Sequence, residues 1–434
     1  MNILEKGSRK LRNAWAFYDW ANSVYPLVIS SSIFPLYFGF LFSGDDKFVN
    51  FLGFTLKSTA LISFVTAFAF LVVAFLSPIL SGVADFAGNK KRFLQFFCYL
   101  GALSCIGMYW FTADNLLFGV LCFFFALIGF WGSLVFYNSY LPDIAFKEQQ
   151  DQLSARGFSM GYLGSVILLL ICLGLILSKE GQAALDAMRL SFVLTGLWWM
   201  GFSQYSFYWL PTGNKNGDKV TRSVLMNGFK ELKKVQKQLF EHLHLKRYLR
   251  AFFVYSMAVQ TVMLVATYFG EQEIKWSTDS EKTQGLIISI LVIQVIAIFG
   301  AIITARLANK FGNIKVLLFV NAIWAIICIC AFFVTEPIHF YTTAAFVGLV
   351  MGGIQALSRS TYSKYLPETD DTTSFFSFYD VTEKIGIVVG MAIYGIIDQI
   401  TGSMRNSIVF LALFFIVGFV LLLYVPSTKS DQKD

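Results

Sequence analysis

The sequence is poor in charged residues. Lys, Arg, Asp and Glu together make up 14% of its 434 residues, whereas a soluble domain carries about 25%. Hydrophobic residues account for 56% of the chain and aromatic residues for 17%. This composition excludes an ordinary soluble protein and indicates a protein that lies within a membrane.

Histidine and cysteine are also scarce. Of the three histidines, His242 and His244 are two residues apart and lie on different faces of a helix, which argues against a metal site. The six cysteines all fall in apolar runs, and none has metal-ligand spacing with a histidine. We expect them to be packing residues that form no disulfide bonds.

Sequence motifs of catalysis are missing as well. The chain has no glycine-rich phosphate loop, no serine elbow and no paired metal-binding carboxylate motif. We therefore expect neither an enzyme nor a nucleotide-driven pump, and no cofactor. The energy source would be an ion gradient or the gradient of the substrate itself.

Long apolar runs fill most of the chain. A run of about 20 residues can cross about 30 Å of hydrocarbon as a helix. Twelve such runs predict an all-α integral membrane protein with twelve transmembrane helices. They lie near residues 14–40, 57–82, 93–113, 116–140, 156–178, 189–210, 248–270, 284–306, 314–335, 339–361, 375–397 and 406–425.

The basic residues indicate the orientation of these helices. With twelve spans both termini lie on one side, and roughly 26 of the 34 Lys and Arg residues fall there, which makes that side cytoplasmic. Topology and anionic lipid headgroups then explain the net charge of +7, so nucleic acid is not needed as a partner. We expect a multi-pass protein of a bacterial cytoplasmic (inner) membrane without a cleavable signal peptide.

Two motifs occur twice in the sequence. Residues 140–143 (Tyr-Leu-Pro-Asp) recur as residues 365–368 (Tyr-Leu-Pro-Glu), so the spacing is 367 − 142 = 225. Residues 81–89 recur as residues 305–313, with a spacing of 309 − 85 = 224. Each copy follows an apolar run. This pattern predicts two pseudo-symmetric six-helix bundles with parallel topology, as in many secondary transporters.

The repeats divide the chain into four parts. These are an N-terminal bundle (1–210), a linker (211–247), a C-terminal bundle (248–425) and a cytoplasmic tail (426–434). The linker begins with turn-forming residues and continues with apolar residues at helical spacing, separated by lysines. It predicts a basic amphipathic helix that contacts anionic headgroups at the cytoplasmic surface. The helix is either a tether or a regulatory or partner site.

Residues 81–91 resemble the signature that the major facilitator superfamily carries between its second and third helices, Gly-x-Leu-Ala-Asp-Arg-x-Gly-Arg-Lys. Asp85, Gly88 and Lys90 fit this pattern, and Gly312 fits it in the second copy. The resemblance implies that these residues belong to a latch that closes the cytoplasmic side. In the second copy Asn309 replaces the acid, so we expect the first copy to carry more of the gating energy.

A narrower resemblance covers nearly the whole chain. Residues 15–23, 34–38, 137–145, 352–360 and 375–384 look like the vacuole-effluxer-like branch of the superfamily, which includes fungal vacuolar amino-acid effluxers. It implies an amino acid as the substrate class. The seventh helix of that branch usually reads Tyr-Asn-Asp-Gly-Val-Gln-Thr, but here residues 255–261 lack the acid. A coupling role of that acid therefore cannot be carried over.

Polar side chains within the apolar runs are the candidates for substrate binding and ion coupling. Burying them in hydrocarbon is costly unless they face the protein interior or water. They fall on the first, fourth, seventh, tenth and eleventh predicted helices. The candidates are Tyr18, Asp19, Asn22, Tyr137, Asn138, Tyr255, Gln260, Gln355, Arg359, Tyr379, Asp380, Glu383 and Lys384.

Each candidate also has a purely structural interpretation. Asp19 would serve the substrate or a proton, or it would cap its helix or bond to another helix. Arg359 would bind a substrate carboxylate, or it would stabilise the cytoplasmic gate. Glu383 would couple protons, or it would join an ion network with Lys384. An amide such as Gln260 would bind the substrate or hold two helices together.

The sequence thus predicts a secondary active transporter, an exporter or permease of a small polar solute. We expect it to work by alternating access and as a monomer, with a proton or another ion as coupling partner. One alternative is a non-transporting sensor or scaffold on a transporter fold, which would use the basic linker. The other is a membrane-embedded enzyme acting on lipid-linked substrates, with Asp19 and Glu383 as its acid/base pair.

Overall fold

The computed structural model describes residues 4–42, 48–212 and 222–426. The turn-rich start of the linker (213–221) and most of the predicted tail (427–434) lie outside these ranges. The helices are α1 Arg9–Asn22, a π-helical segment Tyr25–Ile33, α2 Phe34–Leu41, α3 Ser58–Ala87, α4 Lys90–Gly107, a 3₁₀ turn Met108–Trp110, α5 Leu116–Ser139, α6 Leu141–Ile144, α7 Lys147–Ile176, α8 Gly181–Trp209, α9 Arg222–Glu241, α10 Leu243–Glu273, α11 Asp279–Phe311, α12 Asn313–Ala331, α13 Pro337–Tyr365, α14 Thr372–Thr401 and α15 Met404–Leu423.

Helices coincide with all twelve predicted apolar runs. The first run is covered by α1, the π-helical segment and α2 together. Within the described ranges, 11 helical segments are long and apolar enough to cross a membrane. The helix α8 has 29 residues, but the Ser, Gln, Trp and Tyr residues of its second half lower its hydropathy. The all-α membrane fold is confirmed, while the twelfth span stays a prediction.

A small antiparallel hairpin between α2 and α3 departs from the all-α prediction. Strand β1 (Phe48–Phe51) pairs with strand β2 (Phe54–Lys57). The two-residue turn has φ of 52° at Leu52 and 85° at Gly53, the left-handed conformation that a tight hairpin turn requires at both positions. Glycine adopts this conformation without a steric penalty, whereas leucine does so at a cost.

Glycines allow close packing of helices within the second half of the chain. A Cβ atom added at Gly352 of α13 would overlap the carbonyl of Ala297 on α11, and one at Gly348 would overlap that of Ile293. Added to Gly300 of α11, it would overlap the carbonyl of Leu349. Gly348 and Gly352 are four residues apart on one face, the spacing that lets membrane helices approach closely.

The described residues form two compact units. The first contains residues up to Tyr140 together with Met160–Lys230, and the second contains Leu141–Ser159 together with the chain from Glu231 onward. The predicted domain boundary at residue 210 does not anticipate that α6 and the start of α7 group with the second unit. Ala155 of α7 packs there in an alanine cluster with Ala301, Ala305 and Ala356.

The repeated Tyr-Leu-Pro motif makes the same hydrogen bond in each unit. In the first unit, the hydroxyl of Tyr140 donates to the carbonyl of Pro211 at 2.7 Å. In the second, the hydroxyl of Tyr365 donates to the carbonyl of Pro426 at 2.6 Å. Each tyrosine thus fixes the end of one helix to the end of another, and this shared role gives the sequence repeat a structural reason.

Candidate functional site

A buried polar cluster in the first unit surrounds the last turn of α1. The carboxylate of Asp19 accepts a hydrogen bond of 2.8 Å from the hydroxyl of Tyr137 on α5. The indole of Trp15 donates to the Tyr137 carbonyl at 2.9 Å and stacks on its ring with centroids 4.6 Å apart. The ring of Tyr18 lies 4.9 Å from the same tyrosine ring. Tyr137 thus contacts Trp15, Tyr18 and Asp19 of α1. Its hydroxyl donates to the carboxylate of Asp19, a residue that is 4% exposed.

The position of Asp19 decides between its structural interpretations. The helix α1 begins at Arg9, ten residues before Asp19 (19 − 9 = 10), and no acid lies in its first turn. The effect of a helix N-terminus fades within the first turn, so the capping interpretation is wrong. The hydrogen bond between helices is present, in the form of the contact with Tyr137.

Asn22 occupies the end of α1, next to an irregular part of the span. The side chain is 1% exposed, and its Nδ2 has no hydrogen-bond partner among the described residues. The π-helical segment Tyr25–Ile33, with Pro26 in its first turn, follows immediately. Since π-helical turns within helices are frequent at functional sites, and since an unpaired buried donor costs about 1–3 kcal/mol, this end of α1 has the features of a ligand contact.

A second buried cluster lies on α14 and carries three charges. The ammonium of Lys384 donates to Asp380 Oδ1 at 2.6 Å and to Glu383 Oε2 at 3.3 Å. The side chains of Lys384 and Asp380 are 1% and 6% exposed, and that of Glu383 is 18% exposed. Two carboxylates thus share one ammonium, and Asp380 Oδ2 has no hydrogen-bond partner in the part of the chain that the structure describes.

Neighbouring helices supply further polar contacts to this cluster. Gln260 of α10 donates its amide to Glu383 Oε1 at 2.9 Å, which is the helix-to-helix bond expected as one role of this amide. The hydroxyl of Tyr255 lies 2.8 Å from the hydroxyl of Ser358 on α13. Tyr379 stacks on Phe252 of α10 with ring centroids 4.2 Å apart. The predicted residues of the seventh and eleventh helices therefore come together.

Arg359 is directed towards α7, within the second unit. Its Nε donates to Ser154 Oγ at 3.0 Å, and its Nη2 donates to the Ser154 carbonyl at 3.0 Å. The guanidinium carbon lies 4.2 Å from the ring centroid of Phe158, and the residue is 2% exposed. These contacts favour the gate interpretation of Arg359 over binding of a substrate carboxylate.

Next to Arg359 lies a buried ion pair that the sequence reasoning missed. Lys364 of α13 pairs with Asp151 of α7, and the other carboxylate oxygen of Asp151 accepts a bond of 2.8 Å from Asn313 Nδ2. Asn313 also donates to Thr361 Oγ1 at 2.9 Å. We call Asp151, Ser154, Asn313, Arg359 and Lys364 the α7 cluster. Lys364 directly precedes the repeated Tyr-Leu-Pro motif, and this position was the signal available in the sequence.

The residues of the predicted cytoplasmic latch occupy two turns. Gly88 ends α3 in the left-handed conformation, with φ of 58°, and Lys90 donates to the carbonyl of Ser139 at the end of α5 at 3.2 Å. Asp85 is partly buried in the last turn of α3. Gly312 makes the second turn with φ of 90°, but Asn309 is exposed. Asn313 supplies the buried amide at this turn.

The other candidates are Asn138 and Gln355. Both are half-buried, Asn138 near the end of α5 and Gln355 on α13. In the described residues, no group of three His, Cys, Asp or Glu side chains converges in a way that could hold a metal ion. The contacts that these clusters make are hydrogen bonds and ion pairs.

Comparison with known proteins gives the family. The model of the family described as "Vacuole effluxer Atg22 like" matches residues 7–150 and 145–434. The chain belongs to this family. The "Uncharacterized MFS-type transporter YxiO" of Bacillus subtilis is 31% identical over 434 residues, covering 98% of this chain and 96% of that protein. "Autophagy-related protein 22-1" of Aspergillus terreus is 20% identical and covers 90% of this chain and 78% of that protein.

Solved structures show the same fold at low identity. The transporter FucP in its outward conformation matches with a TM-score of 0.68 and 16% identity, over 97% of this chain and 100% of that one. The proton:xylose symporter XylE matches with a TM-score of 0.70 and 12% identity, over 96% of each chain. The Atg22-like chain thus has the major facilitator superfamily fold. It is a multi-pass membrane protein and a secondary transporter, not an enzyme, and the resemblance stated from the sequence is confirmed.

Proposed function

We propose that this Atg22-like transporter is an exporter or permease of a small polar solute. Amino acids are the first substrate class to test. The observation that carries the proposal is the buried set Asp380, Glu383 and Lys384 on α14, where two carboxylates share one ammonium. Ionisable side chains within membrane spans are costly and mark the pathways of polar substrates and ions. The family description "vacuole effluxer" supports export as the direction.

The α14 cluster suits a zwitterionic solute. Asp380 Oδ2 is buried and without a partner among the described residues, so it can accept hydrogen bonds from a substrate ammonium group. In the first unit, Asn22 Nδ2 is a buried donor that lacks an acceptor in the described part of the chain, and it can donate to a substrate carboxylate. A substrate group that satisfies either atom would remove a desolvation penalty of about 1–3 kcal/mol.

We propose that the carboxylates that share Lys384 also couple transport to protons. Protonation of Glu383 would remove the negative charge of one of the two groups that accept from Lys384, and Asp380 would remain as the only carboxylate of the cluster. This change would alter how strongly Asp380 attracts a cationic group of the substrate. Asp19, which has a hydrogen bond from Tyr137, is the second candidate for a carrier of the coupling proton. These two acids are the sites at which we propose proton binding.

Alternating access would move the substrate. We propose that residues 1–210 and 248–425 act as two six-helix bundles that expose the site to each side in turn. We propose that the turn at Gly88, with Asp85 and Lys90, acts at the cytoplasmic gate in the first unit. In the second unit we propose the same role for the turn at Gly312 and the α7 cluster. Asn313 would take the place at this gate that the sequence reasoning gave to Asn309.

Location and partners are part of the same proposal. We propose a monomer in a bacterial cytoplasmic membrane with both termini on the cytoplasmic side. The relative from Bacillus subtilis supports the bacterial location. On α9, Val235 and Leu239 are buried whereas Lys233 and Lys237 are exposed. This helix therefore has a basic face, which we propose contacts anionic headgroups.

A ligand screen followed by flux measurement tests the proposal. Purified protein is melted in the presence of amino acids, dipeptides, sugars and organic acids, because a ligand of the folded state raises the melting temperature. Each hit is then tested for counterflow in proteoliposomes with wild type, Asp380→Asn and the control Glu271→Gln, whose side chain is exposed at the end of α10. We expect wild type and control to exchange an amino acid, and we expect this exchange to be lost in Asp380→Asn. Binding without counterflow would favour a sensor instead.

A further inference from the structure

A cavity at one end of the second unit has no role in the proposed transport site. It has a volume of about 220 Å³ and lies between the start of α10 and the end of α15. Its lining residues are Arg247, Arg250, Leu421 and Tyr424. The lining surface is almost entirely apolar, and the two arginines whose side chains contribute to it are one helical turn apart.

The two arginines are available to an anion. Arg247 Nη1 donates to the backbone carbonyl of Tyr424 at 3.1 Å, and this bond fixes the guanidinium against the end of α15. The N–H groups of the other guanidinium nitrogens can still donate to a ligand. Arg250 is exposed. Neither arginine forms an ion pair with an acid in the described part of the chain. Two guanidinium groups offer the forked donors that bind phosphate oxygens in pairs.

An apolar stripe on α15 leads to this cavity. Leu413, Val417, Val420 and Tyr424 are exposed and follow one another at spacings of four, three and four residues (417 − 413, 420 − 417, 424 − 420). They therefore lie on one face of the helix. The candidate spans Leu243–Glu273 and Met404–Leu423 place the arginines and Tyr424 near the ends of two spans. That is the depth of lipid headgroups, where tyrosine and arginine are commonly found.

We propose that this cavity binds one anionic phospholipid, with its phosphate on Arg247 and Arg250 and an acyl chain along the apolar stripe of α15. A soluble phosphate would satisfy the arginines but would leave Leu421 and the stripe without an apolar contact. A phospholipid supplies acyl chains for the apolar lining and the stripe, and its negatively charged headgroup is attracted to both arginines. The bound lipid would hold the start of α10 to the end of α15.

Native mass spectrometry of the delipidated full-length protein tests this site. Phosphatidylglycerol and phosphatidylcholine are titrated separately, and inorganic phosphate is added as a competitor. The test variant is Arg247→Gln/Arg250→Gln. The matched control is Arg306→Gln/Lys315→Gln, which removes two exposed positive charges elsewhere in the same unit. We expect one tightly bound phosphatidylglycerol, a loss of at least about tenfold in its affinity in the test variant, and no such loss in the control.

Three results would overturn the proposal. These are equal binding of both lipids by wild type, an equal loss in the control variant, and complete displacement of phosphatidylglycerol by inorganic phosphate. The last result would assign the arginines to a soluble anion. If the double variant does not yield monodisperse protein, Arg250→Gln alone is the test variant, because it removes an exposed charge without affecting the hydrogen bond from Arg247 to Tyr424. It should weaken the binding of phosphatidylglycerol but not that of phosphatidylcholine.

Discussion

Removing the lysine of the α7 cluster should expose the energetic cost of a buried, unpaired carboxylate. In the substitution Lys364→Met, Asp151 loses its ion-pair partner. Because the side chain of Asp151 is only 1% exposed, water cannot replace this partner. Asn313 remains as a donor at 2.8 Å, so part of the carboxylate stays satisfied. Breaking a buried ion pair by removing one partner costs about 3–5 kcal/mol. Because the hydrogen bond from Asn313 remains, we expect a cost at the lower end, about 3 kcal/mol.

The double variant Asp151→Asn/Lys364→Met should recover most of this loss. It removes both charges, so no carboxylate is left unpaired, and we expect a net cost of about 1 kcal/mol. Asp151→Asn alone should cost up to about 1 kcal/mol, because Lys364 is 13% exposed and still donates to Asn313 Oδ1 at 3.2 Å. The double-mutant cycle should then give a coupling energy of about 2–3 kcal/mol. The measurement is equilibrium unfolding in mixed micelles of mild detergent and dodecyl sulfate, followed by circular dichroism.

An exposed ion pair of the same chain provides the control. Lys237 and Glu241 of α9 are 3.8 Å apart with side chains 79% and 63% exposed, and such pairs couple by about 0.3–0.5 kcal/mol. If the pair of Asp151 and Lys364 couples no more strongly than this control, the argument from burial is refuted. The α7 cluster would then contribute no more than a surface contact.

Three further predictions concern stability under the same unfolding assay. Arg405 donates to Glu273 Oε2 and to three backbone carbonyls at 2.7 Å each, so Arg405→Ala should cost about 2–3 kcal/mol; a loss below about 0.5 kcal/mol would contradict this. Tyr365→Phe removes one hydrogen bond to a carbonyl and should cost about 1 kcal/mol, and no measurable change would show that this bond is not formed. Gly352→Ala should cost about 1–3 kcal/mol because its Cβ would overlap a neighbouring helix, whereas Gly395→Ala, with open space around the position, should stabilise by about 0.5–1 kcal/mol; equal effects would refute the packing argument.

Helix positions could be predicted because hydrocarbon imposes a length on every span. An apolar run of about 20 residues has few structural choices in a membrane other than a helix. The ends were less predictable. The helix α7 begins at Lys147, nine residues before its apolar run (156 − 147 = 9), in polar residues that hydropathy does not mark. The hairpin at residues 48–57 was missed because its turn, Leu52-Gly53, puts a leucine where Asn or Asp is the usual signal.

The candidate site was predictable where partners lie on one helix. Asp380 and Lys384 are four residues apart, so their ion pair follows from helix geometry alone. Contacts between helices need tertiary structure, and for that reason the pairing of Asp151 with Lys364, 213 residues apart, escaped notice. The same limit applies to Tyr137, which the sequence marks as a polar residue in a span but not as the partner of Asp19.

Simultaneous measurement of substrate and proton movement tests the central claim most directly. Proteoliposomes with wild type or with Glu383→Gln would contain a pH-sensitive dye. The solute found by the ligand screen would be added to the outside solution. The account predicts that wild type moves protons in a fixed ratio to the solute, and that Glu383→Gln exchanges the solute without net proton movement. Unchanged proton movement in both Glu383→Gln and Asp19→Asn, at the wild-type ratio, would contradict it.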